Sequence, residues 1–194
     1  MKFSGKFGWA LAATVCLALG GCAAPPLRPE PVSAIRQAVD RFELEGRLAA
    51  SSGDRVASVG LLWRHGPVGD EMSFIGPLGQ TLGQLSVTPV AAVLTGADGK
   101  RRRAASPEEL LEQALGLRLP IGQVALWVQA VVGPSARLRR LDELGRPASV
   151  ADEGWIIDYL EYASDAGNSH PRKLEAAWGD ARIKLIVDRW SPGS

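Results

Sequence analysis

The feature that most constrains this chain is a side-chain alternation of period two that begins at Phe42, gives way near residue 106 and resumes at residue 137. Alternation sends successive side chains to opposite faces of a sheet, so it predicts strands with one buried and one wet face. In the first run Phe42, Leu44, Gly46, Leu48 and Ala50 share a side, against Glu43, Glu45, Arg47 and Ala49. Over 56–64, Val59, Leu61 and Trp63 oppose Ser58, Gly60, Leu62 and Arg64; over 70–75, Met72 and Phe74 share a face. Strands also read at 81–87 and 90–95, with turns at His65-Gly66-Pro67, Gly76-Pro77-Leu78-Gly79 and Ala97-Asp98-Gly99. The run Lys100-Arg101-Arg102-Arg103 reads as a solvated strand edge that resists edge pairing, with contact to anionic headgroups as the functional alternative. The second block offers strands at 137–142, 147–151, 154–162, 172–178 and 181–190. There Trp155, Ile157 and Tyr159 share a face, and Ile183, Leu185 and Val187 oppose Arg182, Lys184 and Asp188.

The stretch between the blocks is helical. Ser106-Pro107-Glu108-Glu109 supplies an N-cap, a Pro at the first helical position and a Glu at the third. Leu110, Leu111, Ala114 and Leu115 form one stripe and Gly116 suits the C-terminal cap. Residues 121–132 are apolar nearly all round, which predicts a helix that is deeply buried or faces an apolar cavity. The expected fold is mainly β with α: about six strands, two helices, then about five strands. It forms one curved antiparallel sheet or incomplete barrel closed by helices.

Residues 1–21 stand apart from that fold. Lys2 and Lys6 precede an apolar stretch from Trp9 to Leu19, too short for a span of about 20 residues but right for an export signal. It ends in Leu19-Gly20-Gly21-Cys22, which resembles the lipobox at which bacterial lipoproteins are cut and lipid-modified. Cys22 is therefore the expected lipidation site. Two or three acyl chains, at about 0.8 kcal/mol per buried methylene, hold such a chain on a membrane. Ala23 stands where Asp signals inner-membrane retention in many Gram-negative bacteria, which points to the outer membrane. Residues 22–32 carry the acylated Cys and a Pro-rich tether, residues 33–41 suit a short helix opening at Ser33, and 33–194 form one domain.

Composition excludes more than it selects. An apolar share of 46% with 22% charged residues argues against disorder and against a polytopic membrane protein. The formal charge of +1 loses Lys2 and Lys6 and no acid when the leader is removed, becoming −1, so nucleic acid is not an expected partner. Cys16 leaves with the leader and Cys22 is acylated, so neither a disulfide nor a thiol nucleophile is expected. No G-x-S-x-G, Walker loop or H-E-x-x-H occurs. His65 and His170 read as surface turn residues, and Asp158 and Glu161 fall on opposite faces of one strand. The expectation is a protein without catalytic residues, metal or cofactor.

Two features resist a bland reading. Leu78 occupies a turn corner that polar residues or Gly normally take. It either folds back onto the sheet or inserts into something apolar. Trp63, Met72, Phe74, Trp155 and Tyr159 load one strand face with bulk, either as ordinary core or as the wall of a cavity for acyl chains.

The order of motifs resembles the LolB family, outer-membrane lipoproteins that receive other lipoproteins from the soluble periplasmic carrier LolA. The likeness rests on Phe42-x-x-x-Gly46-Arg47, Trp63, Gly76-Pro77-Leu78-Gly79-Gln80-Thr81, Gly116-x-x-Leu119-Pro120, Trp127, Gly154-Trp155-x-x-x-Tyr159, Ile183-Lys184-Leu185 and Trp190. It implies an open antiparallel half-barrel covered by helices around a hydrophobic cavity. It also implies a protruding Leu78, framed by Pro77 and Gly79, that places cargo into the membrane. The cavity wall would draw on Leu44, Val59, Leu61, Trp63, Met72, Phe74, Leu85, Trp127, Trp155, Ile157, Tyr159 and Leu185. Implied partners are LolA, acylated lipoprotein cargo and outer-membrane phospholipid, met by a monomer. A structural or lipid-binding envelope lipoprotein without transfer activity is the alternative. The chain departs from the family in one place: Ala130 stands where the helix around the Trp usually runs into W-x-x-G.

Overall fold

Two antiparallel meanders meet at one seam. The computed structural model describes residues 36–115 and 119–193; the leader, Cys22, the tether and Gly116 lie outside the described residues. The first meander is β1 (Phe42–Ser52), β2 (Arg55–Gly66), β3 (Gly69–Ile75), β4 (Thr81–Thr88), β5 (Ala91–Gly96) and β6 (Arg101–Ala104). The second is β7 (Ala136–Leu141), β8 (Pro147–Asp152), β9 (Trp155–Tyr162), β10 (Pro171–Trp178) and β11 (Ala181–Pro192). They join through β1 and β11 into one 11-stranded sheet of order β6-β5-β4-β3-β2-β1-β11-β10-β9-β8-β7. The expected open half-barrel is therefore the observed architecture.

The seam carries a bulge between Glu45 and Gly46. A Cβ on Gly46 would lie 2.2 Å from the Ile186 carbonyl oxygen, so only glycine fits there. The inner face follows the alternation. Leu44, Trp63, Met72, Leu85 and Leu94 pair in one row across β1 to β5, all buried.

Helices α1 (Pro107–Leu115) and α2 (Ile121–Trp127) lie in the connection between β6 and β7, the two edges of the sheet. Ser106 Oγ accepts the Glu109 N–H at 3.3 Å, the expected N-cap. Glu108 instead reaches forward, its Oε1 accepting the Ile121 N–H at 3.3 Å at the start of α2. The second helix is shorter than its apolar run predicts. After Trp127 the Ala130 N–H bonds the Trp127 carbonyl at 2.9 Å and the Val131 N–H bonds the Leu126 carbonyl at 3.0 Å. That pair of bonds is a Schellman stop, and Ala130 sits at its left-handed position with φ 53°.

The expected helix over 33–41 is not formed in residues 36–41, and 33–35 lie outside the described residues. Distant partners, one side chain and two backbone carbonyls, bond this segment instead. Gln129 Oε1 accepts the Val39 N–H at 2.7 Å, and the Arg36 guanidinium donates to the Asn168 and Ser169 carbonyls at 2.8 and 2.6 Å.

Candidate functional site

The β3–β4 connection is a preformed finger. Pro77 holds the first corner of the turn and Gly79 the left-handed position with φ 80°. The Gly79 N–H bonds the Gly76 carbonyl at 2.9 Å, and the Gly76 N–H bonds the Gln80 carbonyl at 2.8 Å. The Gln80 side chain closes the structure from beneath: its Oε1 accepts the Leu78 N–H at 3.0 Å, and its amide lies where a Cβ on Gly76 would be. With its backbone satisfied, Leu78 projects at the tip and is 92% exposed. It does not fold back onto the sheet. Residue type alone marks Leu78, whereas the only sequence signal for the clamping role of Gln80 is a polar side chain two residues past the tip.

Two apolar hollows lie on the inner face. A closed one of about 40 Å³ sits beneath the helices, walled by Leu61, Trp63, Met72 and Phe74 from the first meander, Leu185 from the second and Trp127 from α2. A more open one of about 300 Å³ adjoins it, lined by Val59, Phe74, Leu82, Leu94, Leu111 and Arg102 among others. That is the lower end of the range for small-molecule sites. Leu48, Phe74 and Leu111 line both. The larger hollow has a local cause. Beside the filled row runs the row Gly46, Leu61, Phe74, Gly83, Gly96, whose last two members have no side chain.

The other expected wall residues lie elsewhere. Leu44, Leu85, Trp155, Ile157 and Tyr159 are buried in packed core and line neither hollow. Trp155 packs 5.6 Å from the Trp127 ring, and Tyr159 6.1 Å from Tyr162. The reason is α2, which is pinned over the second meander. The buried Asp152 carboxylate accepts the Trp127 indole N–H at 2.8 Å and the Ser135 hydroxyl at 2.7 Å. Wall residues that the sequence reading missed, Leu48, Leu82, Leu94 and Leu111, are apolar positions whose role depends on where the helices rest.

A larger groove of about 950 Å³ on the outer face is polar. Its charges are paired across strands: Arg64 with Glu43 and Glu71 at 3.0 and 3.1 Å, and Arg189 with Glu45. Such exposed pairs contribute little stability and leave the groove with only a small negative excess, since Arg64 serves two carboxylates.

The two histidines are not free turn residues. His65 lies within β2, because the connection to β3 is only Pro67-Val68, and it faces Asp70 across the hairpin. Asp70 Oδ1 accepts the Trp63 indole N–H and meets His65 Nδ1, both at 2.7 Å, while Phe42 stacks on the imidazole at 4.7 Å. His170 stacks on Trp190 at 5.5 Å, and burial, with nearby Arg36, lowers its pKa. Other shifted groups gather around it: burial raises Tyr162 to about 12, raises Tyr159 further and lowers Arg36. Every one of these shifts favours the neutral form. Two groups of the cluster bond backbone carbonyls, Tyr162 Oη donating to Pro147 at 2.6 Å and Arg146 to Ser164 at 2.6 Å, whereas the buried Tyr159 hydroxyl has no hydrogen-bond partner among the described residues. The cluster ties residues 36–41 and the 163–170 loop to the sheet. Among the described residues no group of three His, Cys, Asp or Glu has a metal-site arrangement.

A family model described as "Outer membrane lipoprotein LolB" matches residues 40–190. The chain belongs to the LolB family of outer-membrane lipoproteins. It is 42% identical over 183 residues to the outer-membrane lipoprotein LolB of Azoarcus sp., covering 93% of this chain and 94% of that one. Its identity to the Thiobacillus denitrificans LolB is 35%, covering 93% and 96%. The fold is similar to a crystal structure of a LolA superfamily protein from Nitrosomonas europaea, at TM-score 0.53 and 11% identity, over 86% of this chain and 92% of that one. The names of the LolB relatives are those of a lipoprotein and carry no enzymatic activity. On this LolB-family chain, Gly46 makes the seam bulge, Trp63 and Trp127 wall the closed hollow, and the Gly-Pro-Leu-Gly turn presents Leu78.

Proposed function

We propose that this chain, held on the outer membrane by the lipid on Cys22, accepts acylated lipoproteins from the carrier LolA and passes them into the leaflet. The observation that carries this reading is the pairing of Leu78, 92% exposed on a clamped turn, with an apolar hollow of about 300 Å³ on the same β3–β4 hairpin and its neighbours. Full burial of such a side chain yields roughly 1.5–3 kcal/mol, an interaction that nothing within the fold supplies. Acyl chains cross from one apolar hollow to the other because exposing them costs about 0.8 kcal/mol per methylene. Leu111 lines both hollows, so an outward shift of α1 merges them into a longer slot. Direction comes from rising affinity, carrier to acceptor to membrane, and a tenfold step needs only about 1.4 kcal/mol.

The test is Leu78→Glu in transfer of a labelled lipoprotein from loaded LolA to liposomes. Expected is at least a tenfold loss of transfer, with unchanged unfolding midpoint and unchanged cargo crosslinking. Equal transfer by mutant and wild type refutes the role. The solid packing of the second meander favours, as a second reading, an envelope lipoprotein that binds lipid without passing it on; that protein would crosslink to cargo and never deliver it.

A further inference from the structure

The filled inner row of the first meander has a sixth member. Leu44, Trp63, Met72, Leu85 and Leu94 are followed on β6 by Arg102. Alternation puts Arg101 and Arg103 on the outer face and Arg102 on the inner one. Arg102 is the one charged side chain in the lining of the 300 Å³ hollow. Of the outer-face cations among the described residues, Arg47, Arg64, Arg172, Lys184 and Arg189 sit in ion pairs, whereas Arg101 and Arg103 do not. Among the described residues Arg102 makes none. The nearby Asp98 carboxylate is bonded by Lys100 at 3.1 Å and feels the Arg102 charge only at longer range.

An inward-pointing charge can serve only to protect an edge strand, and Arg101 or Arg103 would serve that purpose as well. What sets Arg102 apart is the apolar hollow at its side. A guanidinium there fits a molecule with an anionic head and an apolar tail. The lipid on an acylated Cys does not match, because its thioether-linked diacylglycerol and amide-linked acyl chain are both uncharged. A phospholipid does match. Height agrees as well: Arg102 lies in the Met72 row, three residues from Ile75 at the base of the finger, about 10 Å at 3.3 Å per residue. With Leu78 in the acyl layer, a long side chain at that level reaches the headgroup layer, which extends roughly 5–7 Å beyond the hydrocarbon.

We propose that Arg102 and the 300 Å³ hollow form a site for a membrane phospholipid, the phosphodiester on the guanidinium and an acyl chain in the hollow. This rests on the reading that the finger faces the leaflet. The bound lipid seats the mouth of the hollow against the membrane, and its acyl chain withdraws into the acyl layer when a cargo chain takes the hollow.

The experiment is native mass spectrometry of the full acylated chain released from nonionic detergent. It is titrated with dioleoylphosphatidylglycerol, with dioleoylglycerol, and with inorganic phosphate as competitor. Wild type is expected to bind the phospholipid at least tenfold more tightly than the diacylglycerol, with millimolar phosphate failing to displace it. Arg102→Glu keeps a charged edge but reverses its sign, and should abolish the preference; Arg101→Glu makes the same charge change on the outer face and should retain it. Preference kept in Arg102→Glu, preference lost equally in Arg101→Glu, or displacement by phosphate alone each overturns the site. Loss of the preference with Arg102→Glu while Leu78→Glu still delivers cargo would refute the finger and leave the lipid site standing. The reverse pattern would refute the site and leave the finger.

Discussion

The two meanders are built from the same alternation but differ in what it encloses. In the second, the inner row Val150, Ile157, Ala176, Ile183 carries a side chain at every position and is buried throughout. In the first, the corresponding kind of row ends in Gly83 and Gly96, and a hollow of about 300 Å³ opens. Helix placement reinforces the contrast. On the second meander α2 is bonded down through Trp127 and Asp152, whereas α1 covers the first with the apolar contacts of Leu110 and Leu111. One half is a solid support and the other holds the finger, the hollow and the unpaired Arg102. A fold divided in this way can open one half without melting the other.

The largest effect should come from emptying the solid half. Ile157 is fully buried, and Ile157→Ala should lower stability by about 2–5 kcal/mol in urea unfolding. Val59→Ala, at the edge of the hollow, should cost less than about 1 kcal/mol. Equal costs would erase the distinction between the halves. Next comes the pin: Asp152→Ala leaves the buried Trp127 indole N–H without its acceptor, for about 1–3 kcal/mol, and should speed amide exchange in α2 ahead of β10. If α2 and β10 exchange together, the helix is not separately held.

Filling the hollow probes the other half. Val59→Trp places an aromatic side chain where Gly83 and Gly96 leave room. It should leave stability within about 1 kcal/mol of wild type while weakening acyl crosslinking about tenfold, equivalent to about 1.4 kcal/mol. Unaltered crosslinking would move the acyl site out of the first meander.

Much of this was legible in the residues. Alternation located the strands to within a residue or two, because a half-buried sheet tolerates no slip of register. The Gly-Pro-Leu-Gly turn was legible because each residue has one conformational use there. The wall of the hollow was legible only in part. Phe74 and Ile157 look alike in sequence, and which of them borders space depends on where α2 stops and what Asp152 holds. The same holds for His65, read as a turn residue because Gly66-Pro67 follows it, although the two-residue connection Pro67-Val68 places it opposite Asp70 on a strand. Residues 36–41 lost their expected helix to partners more than a hundred positions away at Asn168 and Ser169. Local pattern carries no trace of such partners.

The smallest expected effect concerns the position that ends α2. Ala130 holds a left-handed conformation that glycine adopts freely, at a cost to Ala of about 1–2 kcal/mol. Ala130→Gly removes that strain. It also exposes no new surface but deletes a fully buried methyl, losing about 0.8 kcal/mol, and it adds unfolded-chain freedom that costs about 0.4–1 kcal/mol. The terms nearly cancel, so the variant should fall within about 1 kcal/mol of wild type in urea unfolding. Ala130→Val keeps the strain and adds a β-branch that the left-handed region does not accept, so it should be clearly destabilising. If Ala130→Gly instead loses more than 2 kcal/mol, roughly the large-to-small penalty of a core site, the methyl acts as a packing element that holds α2 on the second meander. The solid half would then owe its solidity to this one methyl as much as to Asp152.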